Sequence, residues 1–159
     1  MKLKNRVSLA SEEGFTLIET LIILFIISLT LIIPVISINE MIENMRIELF
    51  FRELTTDITL MQNHTILTGE ATNITYSSTT GESRIRFHVI SQPNHPIERT
   101  TIIDPQIGRF NTQMRITIKH NSRTGNSSQF GTIAFFMKTG RYDLKYYIGS
   151  ARFEIEKAK

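Results

Sequence analysis

From Thr20 to Asn39 the chain carries no charged residue, and nothing else in its 159 residues limits the fold as strongly. Twenty residues of α-helix rise about 30 Å, the thickness of a bilayer's hydrocarbon core. Ser28, Thr30 and Ser37 can return their hydroxyls to the preceding turn, so they do not oppose insertion. Pro34 removes one helix hydrogen bond and predicts a kink or local loosening. The short segment ahead of the run carries Lys2, Lys4 and Arg6. That basic flank predicts a single-pass protein of the cell membrane, with its amino terminus cytoplasmic and its body outside.

An ordinary secretory signal has a small-residue cleavage site after its apolar core. No Ala-x-Ala follows Ile38. Gly14 stands instead at the polar–apolar boundary ahead of the core. A cut there removes a basic leader, residues 1–14, and leaves a permanent apolar helix at the new amino terminus.

Glu19 is the one carboxylate just inside the apolar segment. An unpaired acid in lipid costs about 2.5–3.5 kcal/mol on insertion scales. If the chain begins at Phe15, Glu19 lies one helical turn from a free amine. Its own amine offsets the cost, as does the amine of a neighbouring copy, and in the second case Glu19 sets the register of docking. A plain anchor with Glu19 at headgroup level is the third arrangement, and periodicity does not choose among them.

The residues "GFTLIE", Gly14 to Glu19, follow a short basic leader and precede the apolar run. In this they resemble the class III leader of type IV pilins and pseudopilins. The resemblance implies that a prepilin peptidase cuts after Gly14 and methylates the amine of Phe15. It implies that the helix polymerises into a fibre, with Glu19 neutralising a neighbour's amine. The partners it implies are other pilins of the same fibre and, indirectly, an assembly platform and its traffic ATPase. The tail "QFGTIAFFMKTGRYDLKYYIGSARFEIEKAK" resembles the carboxy-terminal sheet of ComGD-type minor pseudopilins of Gram-positive competence systems. That narrower likeness implies a structural or priming subunit of the DNA-uptake fibre used in transformation. One alternative is a minor pseudopilin of a type II secretion-like system, although the acid-rich calcium loop frequent there is missing from this tail. Another is a single-pass anchored adhesin or binding module.

Beyond Asn39 the pattern becomes one-sided. Ile47, Phe51, Leu54, Ile58 and Met61 recur at three- and four-residue steps, while Glu43, Arg46, Glu48, Arg52, Glu53 and Asp57 lie largely off that line. This predicts an amphipathic helix running on from the apolar segment to about residue 66, with Gly69 ending it. The period then changes to two in "SRIRFHV", "QMRITIK" and "ARFEIEK", each a strand with one buried face. "ATNITYSS" is an early strand, and "GTIAFFMK" an inner strand joined to "RYDLKYYI" across Thr139–Gly140. Turn formers in "SQPNHP", "DPQIG" and "NSRTGNSS" separate them. The expected fold class is α+β, a long helix packed on one antiparallel sheet in a pilin-like layout. The expected organisation is the leader at 1–14, a membrane and assembly helix at 15–39, and an extracytoplasmic body at 40–159.

Charge is unevenly placed. Six acids and two bases between Glu40 and Glu70 give a net −4, whereas thirteen bases and six acids from Thr80 onward give +7. Arg84 and Arg86 project from one strand face with His88, and Arg115 and Lys119 from another with Thr117. If those two strands neighbour each other they form one basic surface, suited to docking on an acidic helix, to plain solvation, or to DNA phosphates. No aromatic alternates with the bases on those faces, which favours the first two uses.

The chain has no cysteine, no Gly-rich phosphate loop and no Ser elbow. His64, His88, His95 and His120 fall on a helix end, a strand face, a loop and a strand end, with no second ligand at metal-binding spacing. The expectation is surface histidines, no metal, no cofactor and no catalysis.

Overall fold

In the computed structural model the structure describes residues 16–79, 81–110 and 115–158, with the side chains of 31–37 outside that description. The chain divides into two compact units, one through Glu40 and one from Met41 to Lys159. A helix, α1, spans Leu17–Thr68 and contributes to both.

In the first unit Thr16 caps α1. The backbone N–H of Glu19 donates to the Thr16 hydroxyl at 3.4 Å and to its carbonyl at 3.1 Å. With Glu19 three residues on, this is the T-x-x-E spacing of a capping box. Thr20, Ser28 and Thr30 donate their hydroxyls to carbonyls three or four residues back, as expected for a helix that leaves no polar group unpaired. Ser37 and Pro34 lie outside the described side chains. Leu17, Leu21, Ile22, Ile23, Ile26 and Ile27 are all exposed, and at about 100° per residue they lie on every side of the helix. Among the described residues no stretch is long and apolar enough to cross a membrane. The charge-free run continues in sequence through 31–37.

In the second unit the amphipathic reading holds. Ile47, Phe51, Leu54, Ile58 and Met61 are buried, and Phe50 joins them. Helix α1 ends at Thr68, and Gly69 takes φ +73° while donating its N–H to the Thr65 carbonyl at 3.1 Å. A glycine in this left-handed conformation is the common way to close a helix.

Eight strands follow: β1 Thr72–Thr79, β2 Glu82–Val89, β3 Arg99–Ile103, β4 Gly108–Phe110, β5 Arg115–His120, β6 Gly131–Met137, β7 Gly140–Tyr146 and β8 Phe153–Lys157. They form two four-stranded sheets, β3-β2-β1-β5 and β4-β6-β7-β8, and every pairing is antiparallel. The fold class is therefore α+β, with two sheets where the sequence predicts one. Strands β3 and β4 are also additions to that reading. Met114, read as part of a strand, lies outside the described residues.

One core unites the layers. Ile58 and Met61 from the helix meet Ile74, Tyr76, Ile85 and Phe87 of the first sheet and Ile133, Phe135 and Leu144 of the second. Phe135 is the aromatic hub, with ring centres 5.5 Å from Phe51, 5.4 Å from Phe110 and 6.4 Å from Tyr76. The Tyr76 and Tyr146 hydroxyls bond to each other at 2.7 Å, joining the sheets through the core. The inner strand β6 alternates after all. Ile133, Phe135 and Met137 are buried, but Phe136 is 44% exposed.

Candidate functional site

The leader residues Gly14 and Phe15, the expected cleavage and methylation positions, lie outside the described residues. Glu19 is described and is exposed in the first turn of α1. A carboxylate there is favoured by the partial positive charge of the helix start. Its side chain remains available to a cation, because the capping contact uses its backbone N–H.

The expected basic surface forms, by a different route. Strands β2 and β5 are not neighbours, because β1 lies between them. The registers place Arg84, Ser77 and Arg115 in one row, Arg86, Thr75 and Thr117 in the next, and His88, Asn73 and Lys119 in a third. All nine point away from the core, whose side is taken by Ile74, Tyr76, Ile85, Phe87 and Ile118. Small residues of β1 thus floor a trough with basic walls. A groove of about 740 Å³ opens on this face, lined by Thr75, Ser77, Arg84, Arg86, His88 and Arg115 among others.

Its charge is partly spent. Glu82 accepts from Arg84 at 2.7 and 3.2 Å. Arg86, Arg115 and Lys119 form no ion pair among the described residues. The opposite asymmetry is also partly consumed within this unit. Arg99 donates to Asp57 and to Glu53, each at 2.7 Å, and Lys138 pairs with Glu43. Three acids of the helix thus meet bases from the sheet half of the same chain. Asp57 is 3% exposed, and burial raises its carboxyl above the usual range against the pull of Arg99.

Three unpaired cations and no aromatic make a poor nucleic-acid surface. The full-length chain titrated with duplex DNA at about 50 mM salt is expected to show no detectable binding. Binding that weakens steeply with salt, and falls when Arg84, Arg86, Arg115 and Lys119 become glutamine, would make this a DNA-contacting face instead.

The histidines depart most from expectation. His120 is fully buried, and its Nδ1 lies 3.3 Å from the Thr72 hydroxyl, which in turn bonds Thr65 at 2.9 Å. Its Nε2 has no hydrogen-bond partner among the described residues. Burial pushes its pKa down to about 4.

His64 and Glu70, six residues apart, come together with His95, which is 25 residues beyond Glu70. Their ligand atoms all lie within 4.8 Å of one another. His64 Nε2 is 3.0 Å from Glu70 Oε2, and the two imidazole rings are 4.8 Å apart. The last turn of α1 supplies the first residue, the link into β1 the second, and the loop after β2 the third. Sequence reasoning missed the group because its residues share no short spacing. The one available signal was that His64 and Glu70 flank the helix-ending Gly69, where the chain must double back.

Comparison with protein-family models, with curated proteins and with solved structures found no match to this chain.

Proposed function

We propose that this chain is a minor pseudopilin of a competence type IV pilus, a structural or priming subunit of the fibre that takes up DNA for transformation. The observation that carries the reading is "GFTLIE", Gly14 to Glu19, placed directly ahead of a charge-free run of twenty residues. A helix with Glu19 in its first turn and an α+β body are what such a subunit requires, and both support it.

The mechanism is assembly rather than catalysis. Cleavage after Gly14 frees the amine of Phe15. The apolar side chains of α1 ahead of residue 31 are exposed among the described residues, so this surface belongs in lipid or against like helices. Transfer from lipid to the fibre exchanges one apolar surrounding for another, which costs little. Glu19 supplies direction. A subunit seats where its carboxylate meets the neighbour's amine, because any other register leaves an acid unpaired in an apolar medium. The folded body from Met41 onward then presents its sheets to the fibre's surface.

Amino-terminal sequencing of membrane-extracted protein tests this. The expected start is Phe15, and Gly14→Val, which puts a branched side chain at the cut, is expected to retain Met1. Glu19→Val should leave insertion intact and abolish recovery in sheared fibres. A wild-type start at Met1 in cells containing the peptidase, or Glu19→Val protein at the normal level in fibres, sinks the reading.

A further inference from the structure

We propose that His64, Glu70 and His95 form a binding site for one transition-metal dication of the zinc class. Two imidazoles and one carboxylate from three separate segments converge within 4.8 Å. Two nitrogens and an oxygen suit zinc and its neighbours, whereas calcium and magnesium take oxygen alone. The inference stands apart from the pilus reading and does not need it.

The surroundings hold the carboxylate in place. Glu70 Oε1 accepts from the Ser91 hydroxyl and from Gln92 Nε2, each at 3.0 Å. That leaves Oε2 turned toward His64. Outer donors of this kind fix a metal-binding carboxylate before the ion arrives. The loop that brings His95 is itself pinned. Glu98 accepts from the backbone N–H of Val89 at 3.0 Å and of Asn94 at 3.1 Å. Asn94 holds φ +64°, the turn that precedes His95. On the helix side Thr68 donates to the His64 carbonyl at 2.8 Å and accepts from the Glu70 N–H at 3.2 Å.

Both nitrogens of His95 are accounted for. Ile97 N–H donates to His95 Nδ1 at 3.3 Å, and His95 Nε2 has no partner among the described residues. A dication on Nε2 places the ring proton on Nδ1 and gives up that long contact. A dication also replaces the hydrogen bond between His64 Nε2 and Glu70, drawing ligands now up to 4.8 Å apart toward the roughly 3–3.5 Å set by metal–ligand bonds near 2.1 Å. The rings are partly buried and the loop is on the surface, so this contraction needs only side-chain motion. Three protein ligands leave a further coordination position for water or another donor. The bound ion would staple the end of α1 to the loop between β2 and β3.

The test uses the full-length chain in detergent, freed of metal and titrated with Zn2+ alone by calorimetry and native mass spectrometry. One Zn2+ per chain is expected, and saturating metal should raise the melting temperature by roughly 5 °C. His64→Gln and His95→Gln should each weaken binding at least about tenfold, while His88→Gln leaves it unchanged and Ca2+ produces no shift. Absence of bound Zn2+ in the wild type, or retained affinity in the double His64→Gln, His95→Gln variant, overturns the site and leaves a hydrogen-bonded pair with the His95 ring tilted against it. If a histidine variant fails to fold, zinc-edge X-ray absorption on the wild type decides. Scattering from two imidazoles supports the site, and fewer than two overturns it.

Discussion

Replacing Phe135 with alanine is expected to cost the folded body about 3–5 kcal/mol, the range for emptying a buried aromatic site. Phe135 is fully buried, and its neighbours come from every layer: Phe50 and Phe51 from the helix, Tyr76 from one sheet and Phe110 from the other. None of these can move into the space without leaving its own strand or turn, so the cavity stays open. Phe136 is the internal control. It is the same residue type one position on, turned to the opposite face and 44% exposed. Phe136→Ala should cost less than about 1 kcal/mol. Urea unfolding followed by circular dichroism measures both. Equal losses would mean that β6 does not bury one face as described.

Acid is expected to weaken the same body through His120. In the unfolded chain this imidazole takes its proton near pH 6.5, but burial holds the folded value at about 4. Between those limits the unfolded state binds more protons than the folded one, so stability falls as pH falls. The loss is complete below pH 4 and absent above about 6.5, and its full size is about 3 kcal/mol at 1.36 kcal/mol per pKa unit. His120→Gln removes the titration while keeping a polar group near Thr72. Unfolding free energies at pH 7 and pH 4.5 should therefore differ markedly less in the variant. An unchanged difference would show that His120 is hydrated in the folded state.

The residues explain which features were legible in the sequence. The helix was, because Ile47, Leu54, Ile58 and Met61 keep one period and Gly69 stops it. Strand β2 was, because Ile85, Phe87 and Val89 alternate with polar residues. Strand β3 was not, since only Ile103 of its five residues is buried and no alternation can show. Strand β4 has three residues, too few for a period. The division into two sheets depends on long-range pairing, such as Ser77 with Arg115, which no local pattern records. For the same reason the basic residues were visible and the trough floored by β1 was not. His120 looked like a surface group because a strand end in sequence says nothing of what the following loop covers. His64, Glu70 and His95 meet only once the helix end, the link into β1 and the loop after β2 are folded together.

Among the described strands the two sheets have four outer members, the margins β3, β5, β4 and β8, and β5 is partly covered where His120 bridges Ser127 and the Ser128 N–H donates to the Lys119 carbonyl at 2.9 Å. Each of these strands carries at least one charged side chain: Arg99, Arg115 and Lys119, Arg109, and then Glu154, Glu156 and Lys157. Unpaired backbone donors and acceptors at such margins invite a second molecule to add a strand, and side-chain charge is a common deterrent. Crowded copies of this protein are therefore steered away from fusing by β-pairing. Contact between them falls to side chains, which can be released without unzipping a ladder of backbone hydrogen bonds, and an assembly made that way can be taken apart again.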